Sequence, residues 1–192
     1  MYEAINNYIS RCASISESEM ELFNSLLKKT TVPKKTYLLQ EGEICNFEAF
    51  IIKGCIRSFY IDENGFEVIL QFAIEDWWVS DIASFHDQKP SNIYIETLED
   101  CELFILSDKN KEELLNQIPQ FERVFRLMVQ KNLSATQNRL ITTIAKTATE
   151  KLHLYACRDP ENPPASSPSR AALQLLIQKL HHLRFQISGN QF

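Results

Sequence analysis

From Thr36 to Leu106 the sequence is cut into short β-rich runs by turn residues, and this texture constrains the fold more than any other feature. Tyr37-Leu38-Leu39 precedes Glu41-Gly42-Glu43, and Phe50-Ile51-Ile52 precedes Lys53-Gly54. Ile56 to Ile61 leads into Asp62-Glu63-Asn64-Gly65, and Val68 to Phe72, Ile93 to Thr97 and Glu102 to Leu106 follow. Asn64-Gly65 between two such runs predicts a hairpin in which both turn residues take positive φ. Many short strands at regular spacing close into an antiparallel roll or sandwich.

Helical periodicity flanks this region on both sides, so the class is α+β: an antiparallel β-roll or jelly roll flanked by helices, with a long C-terminal helix. Ser16 and Glu19 have the spacing of a capping box. Met20, Phe23, Leu26 and Leu27 then make one apolar stripe, and Thr30-Thr31-Val32-Pro33 is expected to end the helix, because a residue before proline leaves the α region. Asp108 opens a short helix through Leu115. Pro119 suits a first helical turn. No glycine or proline interrupts Phe121 to Tyr155, enough for a helix ~50 Å long. Phe125, Val129, Leu133, Leu140 and Ile144, continued by Ala148, fall on one stripe. Such a helix outreaches a small roll, so the stripe either packs on its own roll or, as we expect, pairs with a second copy in a homodimer. The expected domains are a sensor roll with its helices at 1–118, the dimerisation helix at 119–156, and a C-terminal region at 157–192.

The formal charge of −5 excludes a generic basic nucleic-acid coat but permits a small basic reading head. No apolar run approaches the ~18 residues that span a bilayer, and the N-terminus lacks the basic-then-apolar pattern of a secretory signal. No membrane association is expected, and the expected location is the cytoplasm. The cysteines at 12, 45, 55, 101 and 157 include no CxxC pair, so they read as reduced, apolar side chains rather than metal ligands. No G-x-S-x-G, P-loop or paired Cys/His signature is present, and no enzyme activity is expected.

The order of helix, roll and long helix, together with Leu38-Leu39-Gln40-Glu41-Gly42-Glu43 and Phe50-Ile51-Ile52-Lys53-Gly54-Cys55-Ile56-Arg57, resembles the sensor half of Crp/Fnr-type transcription regulators. Asp62 to Phe66 matches a hairpin turn of that family. Leu70-Gln71-Phe72 with Glu75-Asp76-Trp77-Trp78 leads into its ligand cassette, and Asp100-Cys101-Glu102-Leu103 resembles its closing strand. The resemblance covers roughly residues 10 to 156 and is closest to the short members of Bacteroidetes type. It implies a cyclic-nucleotide-binding-like roll, a homodimer and DNA as a partner.

In members that bind cyclic nucleotides, a Gly-Glu pair and a later Arg-Ser or Arg-Thr pair grip ribose and phosphate. The matching positions here are Ser80-Asp81 and Ser91-Asn92. The resemblance therefore places a ligand site at Gln71, Ser80, Asp81, Ser91 and Asn92 but supplies no arginine to it. A buried phosphate without a cation is costly, so cyclic AMP is not the expected ligand, and any effector has another, unknown chemistry. Trp77, Trp78, Phe85 and His86 add an aromatic cluster that reads as core or lid. Two rival functions stay open: a stand-alone small-molecule-binding or interaction module, and a cupin-like enzyme. The latter needs two close histidines in the barrel, where only His86 is expected.

The family's DNA-reading helix-turn-helix would fall at residues 157–192. Here Asp159-Pro-Glu-Asn-Pro-Pro-Ala-Ser-Ser-Pro-Ser169 reads as a linker, and no Leu-Gly-Ile turn follows it. Read one base later, codons for Asp159 to Pro164 permit Ile-Leu-Lys-Ile-His-Gln, which resembles the lead-in to that module. Either a frameshift or a divergent tail is consistent with these residues, and the reading head is expected to be compromised.

Overall fold

The structure, a computed structural model, describes residues 1–145; the expectations for 146–192, including the linker and the altered reading head, lie outside the described residues. The elements run α1 (Glu3–Cys12), α2 (Glu17–Leu26), β1 (Lys28–Val32), β2 (Tyr37–Leu39), β3 (Phe47–Lys53), β4 (Ile56–Ile61), β5 (Glu67–Ala73), β6 (Trp78–Val79), α3 (Ile82–Asp87), β7 (Tyr94–Thr97), β8 (Cys101–Ser107), α4 (Asp108–Gln117) and α5 (Phe121–Ala145). The strands form two four-stranded sheets, ordered β1-β8-β3-β6 and β2-β7-β4-β5. Every pairing within them is antiparallel.

The capping box is present at the start of α2, where the Ser16 side chain accepts from the Glu19 amide and Glu19 reaches back to the Ser16 amide. The helix then ends earlier than expected. Lys28–Val32 is not its last turn but edge strand β1, paired with β8 from Lys28↔Ile105 to Val32↔Cys101. The β4–β5 hairpin also differs in detail: only Gly65 takes positive φ, at +82°, while Asn64 does not. The reason is Asp62, whose Oδ1 accepts from the amides of Asn64 at 2.9 Å and Phe66 at 2.8 Å and so supports a wider turn.

Both faces of the first sheet are covered. Ala49, Ile51, Cys101 and Leu103 face the roll interior, where Leu39, Ile56, Ala73, Val79 and Ile95 join them. Phe50, Phe104 and Leu106 face the other way, onto Ile5, Ile9, Phe23, Leu114, Phe121 and Val124 of the helices. A strand buried on both faces reads as a continuous apolar run rather than an alternating one, as Leu103-Phe104-Ile105-Leu106 does.

The chain divides into compact units at Gln130/Lys131. In the first, Phe121, Val124, Phe125 and Met128 bury one stripe of α5 in the helical core. Phe125, expected at the dimer seam, is thus already covered by its own domain, with its ring 6.4 Å from that of Trp78. Further along, Val129, Leu133 and Leu140 are 42%, 56% and 58% exposed, and Ile141 is 61% exposed. The side chain of Ile144 lies outside the described residues.

Candidate functional site

Of the expected ligand residues, Ser80, Asp81, Ser91 and Asn92 flank α3, and Gln71 lies on β5. Asp81 is the N-cap of α3. Its Oδ1 accepts from the amides of Ala83 at 3.1 Å and Ser84 at 3.2 Å. Its Oδ2 accepts from the Ser91 hydroxyl at 2.7 Å. A carboxylate therefore sits where a helix N-terminus would otherwise offer its amides to a bound anion.

Ser91 is 2% exposed and fully engaged. Its hydroxyl also accepts from the Ile93 amide, its own amide donates to Glu43 O at 2.7 Å, and its carbonyl accepts from Gly42 at 2.8 Å. Ser80 donates to Phe47 O at 2.9 Å, which ties it to the start of β3. Asn92 is exposed and stands outside this network. Asp81 and Ser91 thus meet, Ser80 is joined to the first sheet instead, and Asn92 belongs to the surface.

Gln71 sits elsewhere. It pairs with Ser58, and Ser58 pairs with Ile95, in one row across β5, β4 and β7. Ile95 belongs to the interior core, so the row faces into the roll. Ser58 is buried beside Gln71, a residue that sequence reasoning missed. The available signal was a small hydroxyl two residues after Ile56, at an inward position of an otherwise apolar strand.

Arg57 belongs to the adjacent row, with Phe72 and Glu96, and points to the opposite face. It is the single arginine between residues 12 and 122. Its guanidinium bonds Glu96 Oε2 at 2.6–2.7 Å and forks onto Glu67 at 2.6 and 3.1 Å, lying 4.1 Å from the Phe59 ring centroid. Burial disfavours this cation, but the two carboxylates outweigh that and raise its pKa. The roll's own arginine is therefore held on the outer face and offers no charge to a ligand inside.

The aromatic cluster also resolves. Trp78 is buried and stacks edge-on with Phe50 at 5.4 Å, while Trp77 only partly covers the interior core. His86 corrects an expectation: it lies not in the barrel but on the outside of α3, 85% exposed and bonded to Asp87. Among the described residues no group of His, Cys, Asp and Glu is arranged to hold a metal. A cavity of about 400 Å³ lies at the α1–α2 corner, lined by Ser10, Arg11, Cys12, Ser14 and Arg123. It contains no strand residue, and Arg123 Nε there donates to Cys12 O at 2.9 Å, closing the last turn of α1.

Residues 29–118 match the family model described as cyclic nucleotide-binding domain. The roll has the fold of a cyclic-nucleotide-binding domain. A curated relative, the cAMP-activated global transcriptional regulator CRP of Escherichia coli O6:H1, is 21% identical over 125 residues, or 65% of this chain and 60% of that protein. The chain thus spans about 60% of the length of the curated relatives it matches. Among solved structures, a cyclic nucleotide-binding domain from Methylobacillus flagellatus KT matches 77% of this chain and 86% of its own, at TM-score 0.67 and 15% identity. The c-di-GMP-responsive global regulator CLP of Xanthomonas campestris matches 79% of this chain and 76% of its own, at TM-score 0.64 and 16% identity. No helix among the described residues is long and apolar enough to cross a membrane.

Proposed function

We propose that this chain is the sensing and assembly part of a cytoplasmic Crp/Fnr-type transcription regulator whose roll answers to a small ligand other than cyclic AMP. The observation that carries this reading is the Asp81 carboxylate, which holds the α3 amides and the Ser91 hydroxyl. A cyclic phosphate would have to displace a like charge from those groups and would find no arginine to replace it, since Arg57 is bound on the outer face. Gln71 and Ser58 remain as neutral polar groups facing the interior core. The chain acts as a homodimer through Val129, Leu133 and Leu140, and ligand binding biases how the two long helices meet. DNA is the partner of the regulator type, with the reading head at 157–192 compromised in this chain.

Thermal melting with and without ~100 µM cyclic AMP tests the reading. A ligand at 100 times its Kd stabilises by about 2.7 kcal/mol, a shift of several degrees in a chain of this size. No shift is expected; a clear one overturns the proposed role of Asp81. A salt-dependent gel shift on upstream DNA separates the regulator from a stand-alone binding module.

A further inference from the structure

Lys111 on α4 is the common neighbour of three other elements. Its Nζ lies 2.9 Å from Glu48 Oε2 on β3 and pairs with that carboxylate. The same nitrogen lies 4.9 Å from the ring centroid of Phe85 on α3 and 4.3 Å from that of Phe125 on α5. The Lys111 side chain is 19% exposed and that of Glu48 5%. Burial pushes the Glu48 carboxyl up and Lys111 opposes it, while Asp108, one turn earlier on α4, adds to the rise. A partly desolvated ammonium is attracted to both ring faces, more strongly than it would be in water.

No ring contact joins Phe85 to Phe125 among the described residues, so the ammonium is the shared element between them. Phe85 lies on the short helix that Asp81 caps, and Phe125 lies in the second turn of the long helix. We propose that Lys111 is a positioning residue that couples the cassette helix α3 to the start of α5. A displacement of Phe85 weakens its hold on the ammonium, and the ammonium in turn resets its distance to Phe125. The meaning of this coupling for signalling rests on the sensor reading above, but its existence does not, and the test needs no ligand.

The test is a double-mutant cycle of Phe85→Leu and Phe125→Leu, followed by thermal melting of the full chain. It is run in the parent and in Lys111→Met and Lys111→Arg backgrounds. Leucine keeps an apolar side chain but removes the π face, methionine keeps the stem, and arginine keeps the charge. In the parent the two losses in Tm should fail to add by ~2–4 °C, the size expected for one desolvated cation–π contact in a chain of this length. They should add with methionine at position 111 and fail to add again with arginine. Hydrogen exchange over 121–128 gives a second readout: Phe85→Leu should speed it in the parent but not further in the Lys111→Met chain. Additive losses in the parent, or non-additivity that methionine leaves unchanged, overturn the proposal.

Discussion

Gly54 turns the chain from β3 into β4 against the start of β8, and replacing it with alanine gives a sharp test of the packing between them. Its φ is +105°, where an L side chain is strained. A Cβ added there would lie 2.6 Å from Cys101 Sγ, 3.1 Å from the Asp100 carbonyl oxygen and 3.1 Å from Cys101 Cα. The first distance is a clash inside a fully buried site, and the other two involve backbone at the start of β8, where Cys101 pairs with Val32 of β1. Backbone strain of about 1–3 kcal/mol and overpacking of about 1–3 kcal/mol together make Gly54→Ala cost on the order of 4 kcal/mol. At about 2–4 °C per kcal/mol for a chain of this size, Tm should fall by roughly 8–16 °C. Circular dichroism melts measure this, with urea titration as a check on reversibility. A second variant separates the two causes. In a Cys101→Ala background the sulfur clash is gone but the φ strain remains, so the added cost of Gly54→Ala should drop by about 1–2 kcal/mol. A Gly54→Ala protein melting within about 2 °C of the parent would refute the argument.

The exposed stripe on α5 predicts that the proposed homodimer survives truncation after Tyr155 and that Leu133→Glu yields monomers or insoluble protein, because two unpaired carboxylates would be buried across a twofold axis. Light scattering reads both; a monomeric truncated parent or a dimeric Glu variant contradicts the assignment. Burial pushes the Cys55 thiol up to about 12 and that of Cys101 up to about 11. Their thiolate forms are negligible at pH 8, so mass-mapped alkylation of native protein should leave both unmodified until the chain unfolds. Rapid native labelling of either would mean that the end of the roll is open.

The sequence was most informative where the signal is local. The capping box at Ser16 and the runs of β3, β4, β5 and β8 depend on neighbours a few residues apart, and all appear as expected. Strand β1 was hidden because Lys28-Lys29-Thr30-Thr31-Val32 carries no apolar alternation; as an edge strand paired only with β8, it exposes most of its side chains. Strand β6 has two residues, too few for any periodicity. On α5 two apolar stripes overlap, so Phe125 fitted the outer one by spacing although it packs with Phe121 and Val124. The Arg57 network was invisible for a different reason. Glu67 and Glu96 reach Arg57 only through the registers of β5 and β7 with β4, which local pattern does not encode. At the site, the positions of Asp81 and Ser91 were legible, but the bond between them depends on a ten-residue excursion through α3.

That bond makes Asp81 a tethered competitor in the proposed binding site. A side chain joined by a short, ordered segment is present at an effective concentration well above the on-the-order-of-millimolar value of a flexible tether. Any diffusing anion would compete against that concentration for the amides of Ala83 and Ser84, whatever its own intrinsic affinity. Adding an arginine to the roll would therefore not by itself make a cyclic-nucleotide receptor. The tethered carboxylate would have to leave first, as in Asp81→Gly, and α3 would lose its N-cap with it.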